Sequence, residues 1–171
     1  MFFNTLFSRV QRLAAICAFL LLPFPSKLVT ASENFETGLE AYQRGDYTSA
    51  YGHWYRGAQE GHLVAKANLG VLYMEGLGVL QNHKKAFEFL KEAAVMGLPF
   101  AQYNLGLMYE KGRGVAQDRI RAHMWFNLAA THGHAPAVNG RANVSRYMTS
   151  ASILAAEELA SGCLQSSYQD C

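Results

Sequence analysis

Histidine and cysteine are the residue types in this sequence that could bind a metal ion or act as a nucleophile. The chain of 171 residues contains six histidines and three cysteines. His132 and His134 are two positions apart and would make half of a metal site, but the intervening Gly133 marks a turn. His62 follows a glycine in the same way earlier in the chain. We interpret these histidines as turn or capping residues and predict that the protein holds no metal and no cofactor.

Sequence motifs of common catalytic sites are missing. The chain has no HExxH zinc motif, no GxSxG nucleophile turn, no CxxC pair and no phosphate-binding loop of the GxxxxGK type. We therefore predict a protein without catalysis of its own.

Residues 1–31 have the layout of a secretory signal peptide. Arg9 and Arg12 precede an uninterrupted apolar run, 13–22, and the segment ends in small or β-branched residues, 29–31. The run is about half of the roughly 20 residues that span a bilayer. We predict cleavage after Ala31, export to the periplasm or the cell exterior, and no membrane span in the mature chain.

The charge of the protein changes when residues 1–31 are removed. The whole chain has 15 basic and 13 acidic residues and a formal net charge of +2. The first 31 residues hold three of the bases and none of the acids, which leaves 12 bases, 13 acids and a net charge of −1. The mature chain therefore has no basic surplus that would favour nucleic acid as a partner.

Two cysteines, Cys163 and Cys171, remain after this removal. They stand eight positions apart in a C-terminal tail, 163–171. An even number of cysteines in an exported chain favours a disulfide, here one that closes a small loop. Two free thiols on the tail are the alternative.

The elements that position these residues are set by an internal repeat. Residues 65–97 and 101–133 align without a gap, and a shorter unit, 35–61, joins the same frame in its second half. Each unit predicts two helices, because apolar residues recur at i, i+3, i+4, i+7 and i+8, as in Ala86, Phe89, Leu90, Ala93 and Ala94.

Start and stop signals agree with these helices. Asp46, Asn82 and Asp118 are placed to cap the second helices. Glycines are placed just after helix ends: Gly45, Gly61, Gly76, Gly97, Gly112 and Gly133. Gly70 and Gly106 fall inside the first helices and predict a close approach to another helix. We place that approach against the small side chains of Ala93 and Ala129.

The repeated pattern A-x-x-N-L-G-x-x-Y-x-x-G-x-G-V, continued by (K/R)-A-x-x-(F/W)-(L/F)-x-x-A-A-x-x-G, resembles the Sel1-like repeat, a relative of the tetratricopeptide repeat. The resemblance implies an all-α fold, a right-handed superhelix of helical hairpins over 32–162. Residues 134–162 resemble the family's C-terminal capping helices, with Thr149 as an N-cap, an apolar face of Ile153, Leu154, Ala156, Leu159 and Ala160, and two solvent-facing glutamates, Glu157 and Glu158.

The implied function is binding of a protein or peptide partner in a concave groove lined by the first helices. Side chains expected outside the core of these helices are the candidate partner-binding residues: Lys66, Asn68, Gln102, Tyr103 and Asn104. An asparagine amide can donate to and accept from a peptide backbone. It can equally tie its own helix to a neighbouring turn. We predict a monomeric interaction scaffold or regulator.

Two other functions stay open at this point. A cell-wall or β-lactam-directed hydrolase is implied by a cysteine-rich branch of the family, whose repeats carry cysteine pairs that these repeats lack. Direct binding of peptidoglycan is the second alternative.

Overall fold

A computed structural model describes residues 26–169 and residue 171 of the chain. Within this part the protein forms eight α-helices and no strand, which confirms the predicted all-α fold. The helices are α1 (Ser26–Gln43), α2 (Tyr47–Gln59), α3 (Leu63–Glu75), α4 (His83–Val95), α5 (Pro99–Lys111), α6 (Arg119–Thr131), α7 (Ala135–Ser145) and α8 (Ser150–Gln165).

Most of the predicted signal peptide lies outside the described residues. The helix α1 begins at Ser26 and runs through Ala31, whose side chain is buried. Cleavage after Ala31 stays a prediction. No helix within the described part is long and apolar enough to cross a membrane.

The predicted helix boundaries are confirmed by their capping contacts. The side chains of Asp46, Asn82 and Asp118 each accept a hydrogen bond from the backbone N–H three residues later. The six glycines expected after helix ends all have positive φ, a conformation that costs glycine no steric strain.

The two mid-helix glycines do face a neighbouring helix, but the predicted contacts were wrong. A Cβ on Gly70 would lie 2.6 Å from Leu90 Cγ, and one on Gly106 would lie 2.7 Å from the ring of Phe126. The glycines therefore admit the large residues of the second helices, and not the alanine row of Ala93 and Ala129. Gly38 receives Trp54 in the same way in the first unit.

Another pair of glycines joins consecutive units. Gly78 and Gly114 have positive φ and sit in the loops before α4 and α6. A Cβ on Gly78 would collide with the backbone of Tyr47, and one on Gly114 with that of His83. Each loop thus rests on the start of the second helix of the preceding unit.

The last two helices depart from the pattern of the earlier units. In those units the two helices pack closely together, whereas both α7 and α8 pack on α6 and make hardly any contact with each other. Only four residues join α7 to α8, where seven residues containing two positive-φ glycines join α3 to α4. The short connection lacks that turn, and α8 lies along α6.

The expected surface of α8 needs correction in part. Thr149 caps the helix, and Glu157 and Glu158 are exposed, as predicted. Leu154 and Leu159, expected on the apolar face, are exposed instead. The buried face consists of Ala156, Ala160 and Cys163, so α8 packs against α6 through small side chains.

The chain after α8 folds back onto the ends of α4 and α6. The ring of Tyr168 lies beside Gly97, and its hydroxyl is 3.1 Å from Nε2 of His132. The sulfur atoms of Cys163 and Cys171 are in bonding contact, with their Cα atoms 5.1 Å apart. We call this arrangement of Tyr168, Cys163 and Cys171 the C-terminal clasp.

Candidate binding face

A recess opens between the first helices of the first two units. It has a volume of about 170 Å³. Leu39 and Tyr42 of α1, Trp54 of α2, Asn68 and Val71 of α3, and Phe100 at the start of α5 line it. Its walls are largely aliphatic and aromatic, and Asn68 contributes a side-chain amide to them.

Two aromatic side chains that line the recess, Tyr42 and Trp54, are fixed by contacts with their neighbours. Trp54 is buried, and its indole N–H donates to the backbone oxygen of Phe35 at 3.2 Å. Tyr42 packs on Trp54, with ring centroids 5.4 Å apart. Leu39 and Val71 each follow a helix-packing glycine, Gly38 and Gly70, so they occupy equivalent places in successive units.

The two asparagines that the sequence makes equivalent have different environments. Asn68 is partly exposed in the recess, and within the described part of the chain its amide makes no hydrogen bond. Asn104 is buried, and its Nδ2 donates to the backbone oxygen of Phe100 at 2.8 Å. The amide of Asn104 is therefore tied to its own helix.

Gln102 was expected outside the core but is completely buried. Its Nε2 donates to the backbone oxygen of Ala94 at 3.2 Å, and its Oε1 has no partner. This bond ties α5 to the end of α4, so in this conformation Gln102 is out of reach of a partner. The role of Gln102 and Asn104 in binding stays an untested prediction that their burial does not favour.

The two remaining candidates lie away from the recess. Lys66 Nζ is 2.7 Å from Glu92 Oε2 of α4, an ion pair that is largely exposed. Tyr103 packs on Phe126 and on the imidazole of His134, with ring centroids 5.7 and 4.9 Å away. The structure thus does not bring the five predicted residues together.

Five of the six side chains that line the recess were missed by sequence reasoning, which named only Asn68. One signal was present: Leu39, Val71 and Leu107 follow Gly38, Gly70 and Gly106. At Leu39 and Val71 this repeated aliphatic position lines the recess, whereas Leu107 packs against the buried cluster of Ala122, Phe126 and Val144.

The histidines behave as structural residues. His62 Nδ1 accepts from the N–H of Ala65 at 3.2 Å, which caps α3 as expected. His134 makes no such bond, and burial against Tyr103 and its surroundings lowers the pKa of its imidazole. His132 Nδ1 is 2.7 Å from the backbone oxygen of Leu128. No cluster suited to a metal ion occurs among the described residues.

Known proteins place this geometry in a family. The model of the Sel1 repeat matches residues 31–62, 63–98 and 99–134, which together make more than half of the chain. The chain belongs to the Sel1 repeat family. The first matched segment covers α2 and most of α1, and the other two contain the helix pairs α3–α4 and α5–α6, so each Sel1 repeat is one helical hairpin.

Two solved structures are similar to this chain. One is a protective antigen present in uropathogenic Escherichia coli strains, displaying an SLR fold, with 25% identity and a TM-score of 0.75 over 81% of this chain. The other is a Sel1 repeat protein from Oxalobacter formigenes, with 38% identity and a TM-score of 0.58 over 61% of this chain. The chain spans 31% of the first protein and 41% of the second. No curated protein matches the sequence.

Proposed function

We propose that the protein is an exported, monomeric, non-catalytic Sel1 repeat scaffold that binds a protein or peptide partner on the face formed by α1, α3 and α5. One observation carries the proposal: the partly exposed amide of Asn68 lies unbonded in an apolar recess. Repeat proteins of stacked helical hairpins generally bind partners on extended surfaces of this kind.

Export is supported by the sequence of residues 1–31 and by the C-terminal clasp. A disulfide persists in the oxidising environment outside the cytoplasm and is rare within it. The contact between Cys163 and Cys171 is thus consistent with an exported chain. Mass measurement of the protein purified after expression of the full chain tests both points, since cleavage after Ala31 and disulfide formation each change the mass.

Site-specific photo-crosslinking tests the binding face. A photoreactive residue at Val71, inside the recess, should capture a discrete partner in the native host. The same residue at Glu158, which is exposed on α8, is the matched control and should capture none. Equal capture at both positions, or none at either, would contradict the proposal.

The two alternative functions have direct assays. A β-lactam-directed hydrolase would turn over nitrocefin well above the buffer rate. A peptidoglycan-binding module would sediment with insoluble sacculi. We expect neither result, and a clear positive in either would replace the scaffold proposal.

A further inference from the structure

We infer that the recess binds one bulky apolar side chain of an extended peptide in which that side chain is flanked by basic residues. This inference rests on the proposed function, since it names the class of partner that the same face takes. Three properties of the recess support it: its size, its free amide and the charge at its ends.

The size of the recess fits a single side chain. Its volume is about 170 Å³. An apolar cavity of about 150 Å³ can hold one benzene molecule. A leucine, methionine or phenylalanine side chain fits a volume of this size. Two neighbouring side chains of the peptide would not fit in it together. The aliphatic and aromatic lining of Leu39, Val71 and Phe100 favours an apolar occupant.

The amide of Asn68 supplies the polar contact that such a peptide needs. An extended peptide leaves its backbone N–H and C=O groups unpaired, and an asparagine amide can bond to both. The equivalent amide in the next unit is already bonded to Phe100. The backbone contact is therefore available at the recess and not at Asn104.

The charge near the recess is negative and uncompensated. Glu36 lies one helical turn before Leu39 on α1, and Glu75 lies one turn after Val71 on α3, so each shares the face of its helix that borders the recess. Both are exposed, and neither forms an ion pair within the described residues. The lysine of α3, Lys66, is occupied by Glu92. Charge complementarity thus selects a peptide with lysine or arginine beside its apolar side chain.

The direct test is a titration of the isotope-labelled protein with a synthetic peptide, Gly-Ser-Lys-Leu-Lys-Ser-Gly, followed by NMR. We expect shifts confined to the side-chain amide of Asn68 and the methyl groups of Leu39 and Val71. Replacement of the peptide's leucine by alanine should weaken binding at least about tenfold, because most of the buried apolar area is lost. Shifts centred on α7 or α8, or no shifts, would overturn the inference.

Variants of the protein separate the polar and electrostatic contributions. Asn68→Ala should weaken binding at least about fivefold, because each hydrogen bond lost accounts for about that much. Glu36→Gln with Glu75→Gln should weaken it and remove most of its salt dependence. Glu157→Gln with Glu158→Gln on α8 makes the same change in net charge and should leave the affinity within about twofold of the unmodified protein. Equal effects of the two glutamine pairs would contradict a local charge effect.

Two controls keep the outcome interpretable. Phe100→Ala removes a partly exposed wall of the recess and serves if Asn68→Ala is not folded by circular dichroism. Photo-crosslinking at Val71 reports on the proposed function independently of the peptide. A captured partner without peptide binding would overturn this inference and leave the scaffold proposal intact. Peptide binding without any captured partner would contradict the scaffold proposal and support the apolar and basic preference of the recess.

Discussion

Close helix packing in each Sel1 repeat depends on one glycine in the middle of its first helix. Gly70 and Gly106 leave room for Leu90 and Phe126, residues one repeat apart that are both completely buried. Glycine costs an ordinary helix about 1 kcal/mol relative to alanine. The repeats retain it because a Cβ at that place would meet the core of the neighbouring side chain.

Replacement of Gly106 by alanine should destabilise the protein. The gain in helix propensity is at most about 1 kcal/mol, and we expect the overlap with Phe126 to cost about 1–3 kcal/mol. Gly52→Ala in α2 is the matched control, because a Cβ there would meet no atom within 4 Å. That variant should be neutral or slightly more stable. Urea unfolding followed by circular dichroism measures both, and equal midpoints would show that Gly106 is not a packing residue.

Sequence reasoning at this level succeeded where a single residue type has one physical role. Asp46, Asn82 and Asp118 cap helices because their short side chains place an oxygen within reach of the first-turn backbone N–H groups. Few other residue types can do this. It was wrong about the partners of Gly70, because a repeat fixes the spacing of positions and not which row of the next helix they meet. It also placed Gln102 outside the core. A polar side chain is expected at the surface, and the sequence does not show that the buried backbone oxygen of Ala94 accepts a hydrogen bond from it.

The contact of α6 with the C-terminal helices contains a buried histidine. His123 of α6 is 2% exposed, and its Nδ1 has no hydrogen-bond partner. Burial is the main cause that lowers the pKa of His123, and Arg141 of α7 lowers it further, while Glu157 of α8 acts in the opposite direction. The imidazole is therefore held neutral where α7 and α8 pack against α6.

The packing of these helices should weaken in acid. A histidine whose folded pKa lies below its ordinary value of 6.5 contributes stability that is present above pH 6.5 and is lost as the pH falls towards the folded pKa. The loss from one such group is up to about 1.4 kcal/mol per pH unit in that window. His123→Leu removes the titrating group and should flatten the dependence measured by thermal unfolding between pH 7.5 and 5. If the unfolding temperature of this variant depends on pH as steeply as that of the unmodified protein, His123 is not the cause. His134 is then the next residue to replace.

The sequence did not predict which helix α8 packs against. Its length and its cap at Thr149 were predictable, since both depend on nearby residues. Its partner was not, because the choice between α7 and α6 depends on the short connection between α7 and α8. Leu154 and Leu159 are left exposed as a result.

At the scale of the whole molecule, the fold is stabilised by contacts between neighbouring units. The first helices α3 and α5 each pack on the second helix of their own unit and on that of the preceding unit. The buried residues around Leu90 and Trp125 extend to Ala160 and Cys163 of α8. The C-terminal clasp therefore secures the end of a continuous core, where fraying would otherwise begin.

Opening the clasp should lower the stability of the C-terminal end. A disulfide that closes so short a loop contributes about 2–3 kcal/mol in the loop-entropy description. Cys171→Ser opens it without disturbing the buried Cys163, and it should increase amide exchange in α8 and lower the unfolding temperature. A reducing agent should reproduce the effect in the unmodified protein and leave the variant unchanged. Equal stability of the two proteins under oxidising conditions would show that the bond contributes nothing.

The loop glycines that rest on the preceding unit have a consequence for how such a chain can change in length. Gly78 meets the start of α2 and Gly114 meets the start of α4 at the same point of the repeat. A duplication or loss of one complete 36-residue segment, such as 63–98, would recreate this contact at the new junction. A change that is not a whole number of such segments would shift the glycine out of this contact and place a side chain where the neighbouring backbone leaves no room. Recombination in whole units is therefore compatible with folding, and protein engineers can lengthen the row of first helices in the same increments.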